Sequence, residues 1–178
     1  MLLKKFKITL IIGTRPEAIK LAPLIMQLKE SKDFECRITL SGQHTFMVKQ
    51  VMDLFELKED INLNIMKPNQ SLTFITCETL YGFEKEFKTF RPDLVIVQGD
   101  TTTAYSAALA AFYQNIPIGH VEAGLRTSCI SDPYPEEANR RLISQLANLH
   151  FAPTELAAEN CRLSNVTGEV FVTGNTVI

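Results

Sequence analysis

Ile11-Ile12-Gly13-Thr14-Arg15-Pro16-Glu17-Ala18-Ile19-Lys20 is the stretch on which the fold turns. It closes an apolar, β-branched run that starts behind Lys7 and enters a glycine turn, the end of a first strand. Thr14 and Glu17 then stand at capping-box spacing, and Pro16 falls in the first helical turn, where a missing N–H costs little. A strand that passes through a tight turn into a capped helix is the opening of a βα unit. Such a helix start offers free backbone N–H groups and the positive end of its dipole to an anion. Arg15 adds a planar fork matched to phosphate oxygens, and Lys20, five residues on, adds a point charge. This first turn is expected to face a phosphate.

Outward from that turn the chain alternates strand-like and helical stretches, the pattern of a parallel sheet covered by helices. Strands are predicted at Lys7–Ile12, Cys36–Leu40, Leu94–Gln98, Ile116–Val121, Leu149–Ala152 and Glu169–Val172. Helices are predicted at Arg15–Lys29, Phe46–Phe55, Leu72–Phe90, Thr102–Gln114, Glu136–Asn148 and Glu155–Leu163. Leu94-Val95-Ile96-Val97 is apolar without alternation, as a central parallel strand buried on both faces should be. The fourth helix carries Ala104, Ala107, Ala108, Leu109, Ala111 and Phe112 nearly all round, which predicts deep packing. The expected architecture is α/β, a Rossmann-like doubly wound parallel sheet over residues 1–172. Residues 173–178 read as a turn and the opening of another helix, the start of a connection to a second domain.

The 178 residues are 46% hydrophobic and 21% charged, ordinary values for a globular chain with one full core. A net charge of −2 argues against a nucleic-acid partner. No run approaches the ~18 apolar residues that span a bilayer, and Ile8–Ile12 is too short for a secretory signal core. Cys36, Cys77, Cys129 and Cys161 are widely spaced with no C-x-x-C pairing, which reads as idle thiols in a reducing, cytoplasmic compartment.

In a doubly wound sheet, ligands collect beyond the carboxyl ends of the strands. Four such ends carry polar residues: Gly13-Thr14-Arg15, Ser41-Gly42-Gln43-His44, Gln98-Gly99-Asp100-Thr101-Thr102-Thr103 and His120-Val121-Glu122-Ala123-Gly124-Leu125-Arg126. Pro135-Glu136-Glu137 opens a later helix. Asp100 is either a rim acid or the cap of the helix behind it, and Glu136 and Glu137 are either site acids or first-turn charges that suit a helix dipole. Glu122, one residue past a strand and followed by Ala-Gly, has less to do as structure. His44, His120 and His150 read as local hydrogen-bonders or packing residues. Three acids and two cations on one rim suggest proton transfer coupled to departure of a phosphorylated group. Asp100, Glu122 and Glu136 would supply base and acid, while Arg15, Lys20 and the first helix would steady a leaving diphosphate. Clustered carboxylates push one another's pKa values apart, keeping one protonated near neutral pH. The glycine turn is G-T-R-P-E rather than G-x-G-x-x-G, which disfavours a dinucleotide cofactor, and no His or Cys spacing suggests a metal.

Five motifs in order carry a resemblance to the bacterial non-hydrolysing UDP-N-acetylglucosamine 2-epimerases. They are Gly13-Thr14-Arg15-Pro16-Glu17-Ala18-Ile19-Lys20-Leu21-Ala22-Pro23-Leu24, Gly99-Asp100-Thr101-Thr102-Thr103, His120-Val121-Glu122-Ala123-Gly124-Leu125-Arg126-Thr127, Pro135-Glu136-Glu137-Ala138-Asn139-Arg140 and Thr173-Gly174-Asn175-Thr176. The resemblance runs from about Lys7 to the last residue. It implies the amino-terminal half of a glycosyltransferase-B-like two-domain architecture with the active site in the cleft. It implies interconversion of UDP-N-acetylglucosamine and UDP-N-acetylmannosamine for cell-envelope polysaccharide. The route is elimination of UDP to a 2-acetamidoglucal, protonation on the other face, and re-addition of UDP. By motif position Asp100, Glu122 and Glu136 match the family's catalytic acids. Arg15 and Lys20, with Asp100 and Glu122, match its contacts to the nucleotide sugar.

The resemblance further implies a homodimeric cytoplasmic enzyme without a cofactor, whose second domain brings the uridine site and a catalytic histidine. Gln43 and His44 match the turn near which some members bind a second, regulatory UDP-N-acetylglucosamine, although Phe46 and Asn69 replace neighbouring polar contacts. Tyr134 precedes Pro-Glu-Glu where relatives also carry Trp. Two other readings share these residues: a catalytically silent nucleotide-sugar-binding domain, and half of a glycosyltransferase. Intact Asp100, Glu122 and Glu136 favour the epimerase, because neither alternative needs three carboxylates around one proton.

Overall fold

The computed structural model describes residues 4–42 and 45–177, the side chain of Thr45 apart. Gln43 and His44 therefore lie outside the described residues. The elements run β1 (Phe6–Ile12), α1 (Arg15–Glu30), β2 (Phe34–Leu40), α2 (Thr45–Leu54), β3 (Ile61–Asn62), α3 (Leu72–Phe90), β4 (Leu94–Gln98), α4 (Thr102–Tyr113), β5 (Ile118–Val121), α5 (Glu136–Leu146), β6 (Leu149–Ala152), α6 (Glu155–Leu163) and β7 (Glu169–Val172). All strand pairs are parallel, in the order β3-β2-β1-β4-β5-β6-β7. The chain lays β1 to β3 in one direction, then returns past β1 and lays β4 to β7 in the other. That reversal opens a crevice beyond the carboxyl ends of β1 and β4, where a doubly wound sheet binds its ligands.

The period of two along the central strands divides their side chains between two cores. Ile8, Leu10 and Ile12 of β1 and Leu94 and Ile96 of β4 pack with Ala18, Leu21 and Ile25 of α1 and Val48, Val51 and Met52 of α2. Ile11, Val95 and Val97 point the other way, onto Phe83 and Phe87 of α3, the alanines of α4 and Ile143 of α5. The small side chains of α4 let it lie close to the sheet and to α3, whose Phe83 and Phe87 rings stack at 5.3 Å between centroids. At the β1–α1 turn a side chain would have to push its neighbour aside. A Cβ on Gly13 would stand 2.8 Å from Thr103, so glycine there lets the turn press against the start of α4.

Some boundaries differ from the sequence pattern. Two-residue β3 was not expected; it pairs through Thr39–Ile61 and Leu40–Asn62, too short a contact for any period to announce. The α5 helix stops at Leu146 rather than Asn148, because Asn148 has turned to β5: its side chain accepts the Ile118 N–H at 2.9 Å and its backbone N–H donates to the Ile118 carbonyl at 2.8 Å. Residues 173–177 belong to no helix, and Thr176 and Val177 lie in a turn. Thr173 still donates to the Ala152 carbonyl, and the Asn175 side chain accepts the Val177 N–H. All four cysteines are free, and among the described residues no helix is long and apolar enough to cross a membrane.

Candidate active site

The rim is built from the start of α1 inward. Glu17 is 2% exposed, and its carboxylate accepts the N–H groups of Gly13 and Thr14 at 2.6 Å each and the Thr101 hydroxyl at 2.6 Å. Burial pushes its carboxyl above the ordinary value, opposed by those donors. In the turn before α1 the N–H groups of Gly13 and Thr14 are thus taken by an internal carboxylate, and Pro16 has none to give. Arg15 opens α1 with an exposed side chain. Glu17 also ties the first turn to the β4–α4 turn, 84 residues away in sequence.

Lys20, one turn further along α1, reaches Glu122. Its Nζ stands 2.6 Å from both carboxylate oxygens. The Gln98 side-chain amide donates to Glu122 Oε2 at 2.6 Å from the end of β4. Glu122 has a positive φ of 66°, a left-handed backbone that a residue with a Cβ adopts at a cost. The point charge expected to await a diphosphate is therefore already engaged by an acid of the same rim.

Asp100 does not cap α4. Thr101 does, accepting the Ala104 N–H at 3.0 Å, and the Asp100 carboxylate instead meets Arg140 Nη2 at 2.5 Å. Asn139 donates to the Asp100 carbonyl at 2.9 Å, so α5 grips this turn twice. Burial pushes the Asp100 carboxyl up; Arg140 pulls against it, and the charges of Glu136 and Glu122 add to the upward push. The two glutamates that open α5 divide their tasks. Glu137 is fully buried and takes Arg141, Arg140 and the Thr127 N–H, whereas Glu136 is partly buried and presents its charge to Asp100. Asp100 thus feels the charges of both Glu122 and Glu136, and Lys20 pairs with Glu122. Among the described residues no group of three or more His, Cys, Asp or Glu side chains is arranged to hold a metal. This face encloses little by itself: Lys20, Val121, Glu122, Pro153 and Gly174–Thr176 surround a cavity of about 10 Å³.

Residues 26–178 match the sequence model of the family described as UDP-N-acetylglucosamine 2-epimerase. The chain belongs to that family. It is 52% identical over 173 residues to the UDP-N-acetylglucosamine 2-epimerase of Salmonella typhimurium, covering 97% of this chain and 46% of that protein. The crystal structure of the UDP-GlcNAc 2-epimerase of Neisseria meningitidis, bound to UDP-GlcNAc, matches with a TM-score of 0.93 and 50% identity, over 97% of this chain and 48% of that one. A lipopolysaccharide outer core galactosyltransferase shares the fold alone, at a TM-score of 0.70 and 17% identity over 96% of this chain and 46% of that one. The chain spans about half the length of the relatives it matches. That half is a Rossmann-like unit shared by an epimerase and a glycosyltransferase, consistent with one half of a glycosyltransferase-B-like architecture.

In this epimerase-family chain a buried histidine supports the acid-bearing turn from below. His120 of β5 donates from Nε2 to the Gly99 carbonyl at 2.7 Å, one residue before Asp100. Burial pulls its imidazole down to about 4, with His150, Arg126 and Arg140 adding to the drop. The folded ring stays neutral where the unfolded chain takes a proton near the ordinary value of about 6.5. The unfolded state then binds more protons, so stability falls by about 3 kcal/mol from this residue as pH drops from about 6.5 to about 4. Urea unfolding of the chain across that window should show this slope. His120→Gln, which keeps an N–H toward Gly99, should flatten it, and an unchanged slope would place the acid sensitivity on other groups.

Proposed function

We propose that this chain is the amino-terminal part of an enzyme that interconverts UDP-N-acetylglucosamine and UDP-N-acetylmannosamine by eliminating UDP and adding it back. The acid cluster carries the reading. A module that only bound an anionic nucleotide sugar would have no use for Asp100 set between the charges of Glu122 and Glu136 at the binding rim. The UDP-GlcNAc seen in the Neisseria relative supports the substrate.

The chemistry follows from the sugar. C2 has no adjacent carbonyl, so its proton cannot leave to give a stabilised carbanion. Elimination removes that obstacle. As a rim carboxylate takes the C2 proton, the C–H electron pair becomes the C1–C2 double bond and the C1–O pair departs with UDP. Asp100 and Glu122, with Glu136 beside them, supply the proton-transferring groups. The exposed Arg15 fork meets the departing diphosphate, and Lys20 exchanges part of its contact with Glu122 for phosphate as charge builds there. A proton returned to the opposite face of C2 and UDP returned to C1 give the manno epimer, with electrons balanced throughout.

The same reading includes a cytoplasmic homodimer serving cell-envelope polysaccharide synthesis. Four free thiols support the compartment. A groove of about 410 Å³ between α3 and α4, lined by Leu80, Tyr81, Ala110 and Tyr113, supports an association face. The test is isotopic. The complete protein, given UDP-N-acetylglucosamine in heavy water, should place deuterium at C2 of the manno product and of recovered substrate. Epimerisation without deuterium at C2 would sink the elimination mechanism.

A further inference from the structure

We infer that Gln98 is a positioning residue for this reaction, holding Glu122 toward the sugar through its side-chain amide; the inference rests on the epimerase reading above. Gln98 ends β4, and it is 2% exposed behind four buried apolar residues. Its Nε2 lies 2.6 Å from Glu122 Oε2. A buried amide at that place needs a partner, and it has taken a carboxylate rather than a backbone group.

Two donors aim Glu122, and they differ in freedom. Lys20 comes from α1 on a flexible four-carbon stem, with its side chain 27% exposed. When a diphosphate arrives, that ammonium has a second anion to satisfy. Gln98 is locked in the sheet and cannot follow. As Lys20 turns toward phosphate, the Gln98 amide is what keeps the Glu122 carboxylate in place. Glu122 stands one residue past β5 with a positive φ, and its carboxylate is held by these two contacts. The groups facing Glu122 are Lys20 from α1, Gln98 from β4 and the charge of Asp100 from the turn after β4. An amide N–H only donates, so the contact is strongest with Glu122 as carboxylate and weakens when Oε2 takes the proton. The interaction therefore changes along the proton transfer.

The test uses two substitutions of matching length in the complete protein. Gln98→Met removes the donor and should lower kcat by about tenfold or more, with KM changed by less than about twofold. Gln98→Glu regains a donor only while its own carboxyl is protonated. Its kcat relative to the unchanged enzyme should be higher at about pH 5.5 than at about pH 8, by about tenfold. A merely structural role would show as lost folded protein in a thermal melt, with kcat per folded molecule unchanged in both variants. If methionine does not fold there, the pH dependence of Gln98→Glu decides alone. A flat ratio across pH, or full kcat in a folded Gln98→Met protein, overturns the assignment. An unchanged complete protein that fails to epimerise UDP-N-acetylglucosamine overturns the reading beneath it, and the assignment falls too.

Discussion

Glu122→Gln and Asp100→Asn, made singly in the complete protein, should each lower turnover by roughly 10²-fold or more while the fold survives. Each amide keeps the size of the acid and loses its ability to take or give a proton. At Glu122 the change also sets an N–H of the new amide against the donors Lys20 and Gln98, so the side chain loses its aim as well as its chemistry. At Asp100 the amide forfeits the charge that meets Arg140, but Arg140 keeps its second partner, the buried Glu137. The α5 grip on the turn persists through Asn139, which bonds the Asp100 backbone rather than its side chain. Both acids stand on the rim, with side chains 17% and 24% exposed, and neither fills a core. Thermal unfolding measured beside kcat separates the two effects. Near-full activity in folded Asp100→Asn would reduce Asp100 to an anchor for Arg140.

The sheet was largely legible because its signals are local. The unbroken run Leu94–Val97 gave β4, the alanine-rich stretch gave α4, and turn glycines marked the ends between them. Asp100 and Glu122 were legible as neighbours because the ends of β4 and β5, which pair in the sheet, share one edge. Their partners were not. Lys20 and Glu122 are 102 residues apart, Asp100 and Arg140 are 40 apart, and Gln98 and Glu122 are 24 apart. Nothing in the neighbourhood of Gln98 says which side chain its amide will meet; only its polarity at the end of a buried strand marks it as owing a bond. Glu17 is instructive. Its spacing from Thr14 announced the capping box that the structure holds, but not that its carboxylate would also take the Gly13 N–H and the Thr101 hydroxyl.

The 178-residue chain expressed by itself should fold and should not epimerise. Folding is expected because its two main cores lie on either side of a seven-stranded sheet and are built from this chain's own residues. Catalysis is not, because the rim alone encloses almost nothing. The cavity at Lys20 and Glu122 is about 10 Å³, whereas sites that surround a ligand of this size run to roughly 300–1,000 Å³. The chain covers 46% of its Salmonella relative, and the proposed reading places contacts to uridine and the closure that expels water outside these residues. Those remote contacts matter to the chemical step, since binding energy far from C2 is what fixes the reacting carbon against the carboxylates. The isolated chain should therefore hold the nucleotide sugar weakly, through Arg15 and Lys20, and leave it unchanged. Mixing it with UDP-N-acetylglucosamine and following the anomeric signals by NMR checks both points at once. Formation of the manno epimer by these residues alone would mean that the rim needs no second wall to orient the sugar.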